Sequence, residues 1–186
     1  MTVIPKLLLQ LKAVDINTET GFTYASGIQS PVYCDNRLIL SYPKEREIIL
    51  GAFLKLIEDK SLKFDIVAGV ATAGIPWAAM IADRLKKPLV YVRTSAKEHG
   101  KGNQVEGELE EGKYVLLVED LISTGGSSIG AAKTVQETCN VIACVAIFNY
   151  NLTESEKNFT EAKLSLYSLA DFNGLIKVAD RCLAFR

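Results

Sequence analysis

The sequence is poor in the residues that build metal centres and disulfide frameworks. Its 186 residues include four cysteines, with no CxxC spacing, and one histidine, His99. Zinc sites need several such ligands at characteristic spacings, so no zinc cluster is predicted, and we expect no protein side chains to form a metal site of their own. We expect the cysteines to be reduced thiols in a cytoplasmic protein.

Long apolar runs and a dominant charge are also missing. No segment approaches the roughly 18 uninterrupted apolar residues of a transmembrane helix. The amino-terminal segment carries lysines within a short apolar core, which predicts an amphipathic helix rather than a signal peptide. The 22 acidic and 21 basic side chains nearly cancel and form no basic stripe. We therefore expect no membrane and no nucleic-acid partner.

The composition that remains is that of an average globular protein, with 48 % hydrophobic and 23 % charged residues, and the length predicts a single domain over residues 1–186. Alternation over residues 14–35 predicts short antiparallel strands. Beyond them, the periodicity predicts helices at 43–59, 76–85, 127–138 and 172–179, and strands at 64–70, 88–92, 114–118, 141–148 and 164–169. These strands are apolar on both faces, which indicates a parallel sheet covered by helices on each side.

The segment 115–128 combines a buried strand, two acids and a turn of small residues that opens a helix. Glu119 and Asp120 come at the carboxyl end of the strand, where ligands bind in open α/β sheets. Glycines and free N–H groups at a helix start favour an anion, and carboxylates accept hydrogen bonds from sugar hydroxyls. The pattern therefore indicates a ribose 5-phosphate site. A capping turn with solvated acids is the alternative, and the absence of Walker A and GxGxxG motifs disfavours nucleotide triphosphates and dinucleotides.

This segment matches the phosphoribosyl pyrophosphate motif of type I phosphoribosyltransferases. The resemblance implies their α/β fold, with a central, mostly parallel sheet, helices on both faces and a small N-terminal hood over residues 1 to about 40. It also implies that phosphoribosyl pyrophosphate is bound by the residues of the motif, namely Glu119, Asp120, Leu121, Ile122, Ser123, Thr124, Gly125, Gly126 and Ser127.

Residues 94–112 have little apolar content and four glycines, so we expect a mobile loop. One interpretation is that the cations of this loop are simply solvated surface charges. The stretch also resembles the flexible catalytic loop of orotate phosphoribosyltransferases, which implies that Arg93, Lys97 and His99 bind phosphoribosyl pyrophosphate and, with Asp120, are catalytic. In that family the loop closes over the pyrophosphate partly from the neighbouring subunit. The resemblance therefore implies a homodimer, with Mg²⁺ on the pyrophosphate.

Residues 22–37 resemble the hood segment with which orotate enzymes hold the pyrimidine; a plain β-hairpin with a Ser-Pro turn is the alternative. The resemblance implies that Ser123, Tyr33 and Cys34 contact orotate. Because it now spans nearly the whole chain, we expect the ribose 5-phosphate group of phosphoribosyl pyrophosphate to be transferred to orotate. The products would be orotidine 5'-monophosphate and pyrophosphate, in de novo pyrimidine biosynthesis.

Several positions depart from the pattern of some relatives. Ala25, Ala73 and Thr94 stand where those relatives have lysine, and the arginine that some use on the orotate carboxylate is not evident around residues 149–151. The group that binds the orotate carboxylate is therefore left open: it could be Ser123, backbone amides of the hood or Arg37.

Tyr33 could equally pack in the core instead of contacting the base. Arg37 could equally form a surface ion pair instead of binding the substrate. Three rival functions are a transferase for another base, a regulator that senses phosphoribosyl pyrophosphate, and a non-catalytic interaction protein on the same fold.

Overall fold

The computed structural model describes residues 3–17, 19–23, 27, 29–93 and 104–183. Within them the helices are α1 (Val3–Gln10), α2 (Pro43–Asp59), α3 (Gly74–Leu85), α4 (Gly126–Gln136), α5 (Thr153–Glu161) and α6 (Phe172–Leu183), with a 3-10 helix at Asn36–Ser41. The strands are β1 (Val14–Ile16), β2 (Phe22–Thr23), β3 (Gln29–Ser30), β4 (Val32–Cys34), β5 (Ile66–Val70), β6 (Leu89–Val92), β7 (Val105–Glu106), β8 (Tyr114–Ile122), β9 (Asn140–Asn149) and β10 (Leu166–Asp171). None of the helices in this part of the chain is long and apolar enough to cross a membrane.

Six strands form the central sheet in the order β10-β9-β8-β5-β6-β7. All neighbours in this sheet pair in parallel except β6 and β7, which pair antiparallel. β8 lies in the middle between β5 and β9, and its residues from Val115 to Val118 are fully buried. The prediction of a mostly parallel sheet is confirmed. The carboxyl ends of the parallel strands meet at one edge, where ligands bind in such sheets.

Helices cover both faces of this sheet, as predicted. Side chains of β8 alternate between the two cores because successive residues of a strand point to opposite faces. Leu116 packs in the core that contains Trp77 of α3, and Leu117 packs in the core that contains Val135 of α4. All four side chains are fully buried.

Two small antiparallel sheets form the hood. β1 pairs with β4, so that the buried Val14 and Cys34 lie opposite each other, and β2 pairs with β3. The short antiparallel strands predicted from the alternating pattern are therefore confirmed for the described residues. Ala25, one of the departures from the family pattern, lies outside them.

The start of α3 lies directly against β8. Gly74 is the first residue of the helix, and a Cβ atom there would overlap the carbonyl oxygen of Val118 and lie 3.2 Å from Cα of Glu119. Glycine is needed for this close approach. The turn before α3, which contains a cis peptide bond between Ala71 and Thr72, is thereby held beside the end of β8.

Some elements differ from the sequence-based predictions. β8 continues to Ile122, because its pairing with β9 extends to Ile122 opposite Asn149, and the two acids therefore lie within the strand. The 3-10 helix and α5 were not predicted; α5 is mostly polar, with Phe159 as its buried aromatic side chain. β7 falls within the expected loop at 94–112, of which residues 94–103 lie outside the described part of the chain.

Candidate active site

The turn after β8, residues 123–128, forms one wall of a cleft and is called the phosphate cradle below. Gly125 adopts a φ of +82°, and α4 starts at the next residue with no side chain capping its first turn. The N–H groups of that turn and the positive end of the helix dipole favour an anion. The cleft has a volume of about 280 Å³ and is lined by Ala71, Thr72, Ala73, Glu119, Asp120, Leu121, Ser123, Thr124, Gly125, Gly126, Ser127 and Ser128.

Helix α5 supports the phosphate cradle from behind. The side-chain amide of Asn158 donates a hydrogen bond of 2.9 Å to the carbonyl oxygen of Thr124. The ring of Phe159 lies so close that a Cβ atom on Gly125 would come within 2.7 Å of its Cε2 atom. The left-handed backbone and the ring both require glycine at this position. The backbone of the cradle is thus fixed by a helix that the sequence did not reveal.

The two acids of β8 sit at the floor of the cleft. Glu119 is 6 % exposed, and its Oε1 atom accepts a hydrogen bond of 3.0 Å from the backbone N–H of Asp120. Burial, followed by the nearby charge of Asp120, raises the pKa of Glu119 to about 9. Burial also raises the pKa of Asp120. Burial at the end of β8 therefore favours the protonated form of the Glu119 carboxyl.

Replacing Glu119 with glutamine should flatten the dependence of stability on pH. Because the folded-state pKa of Glu119 lies above its ordinary value of 4.5, the folded protein binds more protons, and stability falls as pH rises from about 5 to about 9. A shift of even one pKa unit corresponds to about 1.4 kcal/mol. Urea unfolding of the protein across this pH range should show a smaller loss of unfolding free energy for Glu119→Gln than for the parent. Parallel curves for the two proteins would contradict the raised pKa.

A buried side chain that sequence reasoning missed connects the hood to the acids. Asn36 is fully buried, and its amide nitrogen donates a hydrogen bond of 2.7 Å to the backbone carbonyl of Asp120. Its amide oxygen accepts a hydrogen bond of 3.2 Å from Sγ of Cys34. The bond to Asp120 joins residues 84 positions apart in the chain, so no local pattern could have indicated it. Asn36 fixes the hood against the end of β8.

A second cleft, called the hood cleft below, lies beside the phosphate cradle. It has a volume of about 630 Å³ and is lined by Thr23, Tyr33, Cys34, Asp35, Arg37, Ala73, Asp120, Leu121, Ser123 and Tyr150. Four of these residues also line the first cleft, namely Ala73, Asp120, Leu121 and Ser123. The two clefts therefore adjoin along the carboxyl end of β8.

The three residues predicted to contact orotate come together in the hood cleft. Tyr33 is 43 % exposed, and its ring centre lies 5.7 Å from that of Phe22. Cys34 is buried in the wall, where burial strongly raises the pKa of its thiol. Ser123 reaches the same cavity from the phosphate cradle. A flat ring placed here would meet an aromatic face, a neutral sulfur and a hydroxyl group.

Arg93 lies in a third cleft, of about 270 Å³, which reaches Gly126 and Ser127 at the start of α4. Its backbone N–H donates to the carbonyl oxygen of Gln104 over 2.8 Å. Its guanidinium Nη1 atom lies 3.5 Å from Oε1 of Glu106 on β7. A cation predicted to contact pyrophosphate thus stands next to the phosphate cradle.

The remaining predicted site residues do not all line these clefts. Lys97 and His99 fall in residues 94–103, outside the described part of the chain, as does Thr94. The side chain of Ile122 is 1 % exposed and packs in the core, while its carbonyl oxygen accepts a hydrogen bond of 3.0 Å from the backbone of Tyr150. Ile122 therefore supports the wall of the hood cleft through its backbone.

The fold and the site together define a phosphoribosyltransferase: an open, mostly parallel sheet with paired acids on its central strand, a glycine-containing phosphate cradle and a hood. The family model of the phosphoribosyl transferase domain matches residues 38–174 of the chain.

Comparison with curated relatives identifies a particular family within this class. The chain is 53 % identical over 179 residues to an orotate phosphoribosyltransferase of Coxiella burnetii, a match that covers 96 % of the chain and 86 % of the relative. It is 51 % identical to one of Oceanobacillus iheyensis, covering 94 % and 87 %. A crystal structure of orotate phosphoribosyltransferase from Aeropyrum pernix superposes with a TM-score of 0.80 at 28 % identity, covering 94 % of the chain and 98 % of that protein. The chain belongs to the orotate phosphoribosyltransferases of pyrimidine biosynthesis, which confirms the family predicted from its sequence.

Proposed function

We propose that the chain transfers the ribose 5-phosphate group of phosphoribosyl pyrophosphate to orotate, giving orotidine 5'-monophosphate and pyrophosphate. The observation that carries this proposal is the contact between the phosphate cradle and the hood cleft across Asp120 and Ser123. A sugar phosphate that spans the two clefts would present its anomeric carbon to the hood. An orotate ring against Tyr33 and Cys34 would then face that carbon.

The 5'-phosphate is assigned to the phosphate cradle. Its backbone N–H groups, and the hydroxyl groups of Ser123, Thr124 and Ser127, can donate hydrogen bonds to phosphate oxygens. The closeness of Phe159 to Gly125 supports this role, because the contact limits the backbone of the cradle to its present shape. A preformed cradle costs little reorganisation on binding.

The ribose hydroxyls are assigned to Asp120 and Glu119. Burial is the main cause of the raised pKa values of both acids, and two sugar hydroxyls would donate hydrogen bonds that stabilise the carboxylates. Transfer of a ribosyl group to a ring nitrogen passes through an oxocarbenium-like state and needs no protein nucleophile. A carboxylate at Asp120 would face the positive charge that develops on the sugar.

The departing pyrophosphate is assigned to Arg93, Lys97 and His99, with the turn at Thr72 and Ala73 beside it. Stabilising the charge on the leaving oxygens is the main catalytic demand of this reaction, and cations next to the pyrophosphate would meet it. We further propose that residues 94–103 cover the pyrophosphate and exclude water, partly from the partner subunit of a homodimer, as the family resemblance implies.

Magnesium fits the site as an ion carried by the substrate. In the described ranges, no three or more His, Cys, Asp or Glu side chains lie together as a metal site, whereas Glu119 and Asp120 lie at the cleft where the sugar diphosphate is assigned. Mg²⁺ prefers few carboxylates together with phosphate oxygens. When bound, it supplies charge neutralisation to the pyrophosphate. The free, buried thiols of Cys34, Cys139 and Cys144 suit the reducing cytoplasm in which we place the reaction.

The stoichiometry of the products tests the reaction. Phosphorus NMR of the protein with phosphoribosyl pyrophosphate, Mg²⁺ and orotate should show one pyrophosphate and one orotidine 5'-monophosphate formed for each phosphoribosyl pyrophosphate consumed. Ribose 5-phosphate in place of the nucleotide would mean hydrolysis and would contradict a transferase.

A further inference from the structure

The hood cleft has an unusual charge balance for a cavity that should take an anion. Asp35 and Asp120 both line it, and Arg37 is the one cation among its described lining residues. The sequence offers few others, because no lysine, arginine or histidine occurs between Lys12 and Arg37 or between Lys133 and Lys157. The hood segment and the segment around Tyr150 therefore contribute no second cation to the cleft.

Arg37 is held in a defined orientation by Asp35. Its Nε atom donates to Oδ1 over 2.7 Å, and its Nη2 atom donates to Oδ2 over 3.0 Å. The same carboxylate caps the 3-10 helix by accepting from the backbone N–H of Arg37 over 3.1 Å. A guanidinium has five N–H donors, so a second pair, on Nη1 and Nη2, remains for another carboxylate. The side chain of Arg37 is 63 % exposed, so a ligand in the cleft can reach it.

The electrostatics support an ion pair that stays intact at neutral pH. The hydrogen bonds from Arg37 lower the pKa of Asp35. The contact with Asp35, followed by weaker effects of Tyr33 and Asp120, raises the pKa of Arg37. The pair is neutral as a unit, with Asp35 orienting the guanidinium rather than leaving an uncompensated negative charge.

We propose that Arg37 binds the carboxylate of orotate and thereby selects orotate over uracil, with Asp35 as its positioning residue. This inference rests on the proposed function, since it names the group that recognises the substrate in the same site. It assigns the role that the sequence alone left open between Ser123, hood amides and Arg37. The bidentate geometry of the Asp35 contact leaves the free edge of Arg37 suited to a planar carboxylate.

The test compares two nucleotides that differ only in this carboxylate. Orotidine 5'-monophosphate and uridine 5'-monophosphate are titrated calorimetrically into the parent protein and into Arg37→Gln. In Arg37→Gln the affinity for orotidine 5'-monophosphate should fall at least about tenfold, as for loss of a charge-assisted bidentate contact. The affinity for uridine 5'-monophosphate should stay within about twofold. Arg37→Lys should keep part of the preference for orotidine 5'-monophosphate, because lysine keeps the positive charge but lacks the planar guanidinium that binds a carboxylate through two N–H groups.

Arg84→Gln is the matched control. Arg84 also pairs with a carboxylate, that of Glu47 at 2.9 Å, on an exposed surface away from the clefts. This variant should keep both affinities. If the parent and Arg37→Gln preferred orotidine 5'-monophosphate over uridine 5'-monophosphate by the same factor, the proposed role of Arg37 would be overturned. The proposed transferase reaction would not be affected by that result. A parent protein that binds neither nucleotide and turns over no orotate would instead remove the proposed function itself.

Discussion

Replacing Lys97 with alanine is expected to lower kcat on the order of a hundredfold to a thousandfold, the usual effect of losing one well-placed donor to charge that develops in the transition state. Lys97 is assigned to the leaving pyrophosphate by resemblance to the family loop. Because the interaction strengthens as the C–O bond breaks, kcat should fall more than the KM for orotate rises. Steady-state kinetics with saturating phosphoribosyl pyrophosphate and Mg²⁺ measures both.

Lys55→Ala provides the control for Lys97→Ala. Lys55 is 72 % exposed on α2, where it pairs with Asp59 at 2.8 Å, and such surface pairs contribute little to stability. Its kinetics should match those of the parent. If Lys97→Ala also stayed within a few-fold of the parent, the assignment of this loop to the pyrophosphate would be wrong.

Replacing Gly125 with alanine is expected to reduce kcat/KM for phosphoribosyl pyrophosphate on the order of a hundredfold. The backbone at this position is left-handed, a conformation that costs alanine about 1–2 kcal/mol, and the new methyl group would collide with the ring of Phe159. The phosphate cradle must then shift, and a displacement of about 1 Å in a positioning element can cost a hundredfold in rate. Initial rates at varied phosphoribosyl pyrophosphate, together with urea unfolding, separate the kinetic effect from lost stability.

Gly51→Ala is the matched control for this change. Gly51 lies in the middle of α2, and a Cβ atom there would meet nothing within 4 Å. Alanine at such a position favours the helix by about 0.5–1 kcal/mol, so this variant should be slightly more stable and fully active. Normal kinetics in folded Gly125→Ala would show that phosphate binding does not depend on the shape of the cradle.

The parts of the fold that the sequence predicted are those with a strong local pattern. The segment of β8 carries its apolar run, its acids and its glycine turn in consecutive positions, so strand, site and helix start could all be inferred from one stretch. Helix α5 gave no such signal, because it is polar along most of its length and buries Phe159 and Ser155 among its side chains. Its contribution to the cradle comes from tertiary contacts of Asn158 and Phe159.

The site residues also divide into those that a local sequence pattern indicates and those that depend on tertiary contacts. Tyr33, Cys34 and Ser123 were selected by resemblance to family segments, and the fold brings them to one cavity. Asn36 was not selected, since its hydrogen bond to Asp120 depends on how the hood folds over the sheet. For Arg37 the sequence left a surface ion pair and a binding role open. The structure places the ion pair with Asp35 on the wall of the hood cleft, so one arrangement accommodates both.

The activity of the protein is tested most directly by the consumption of orotate, followed by its ultraviolet absorbance, in the presence of phosphoribosyl pyrophosphate and Mg²⁺. Uracil and adenine are offered in parallel reactions, and a further reaction omits Mg²⁺. We expect turnover of orotate that depends on Mg²⁺ and far exceeds turnover of the other two bases. Turnover of uracil or adenine without turnover of orotate would keep the phosphoribosyl site but contradict the assignment of the hood cleft to orotate.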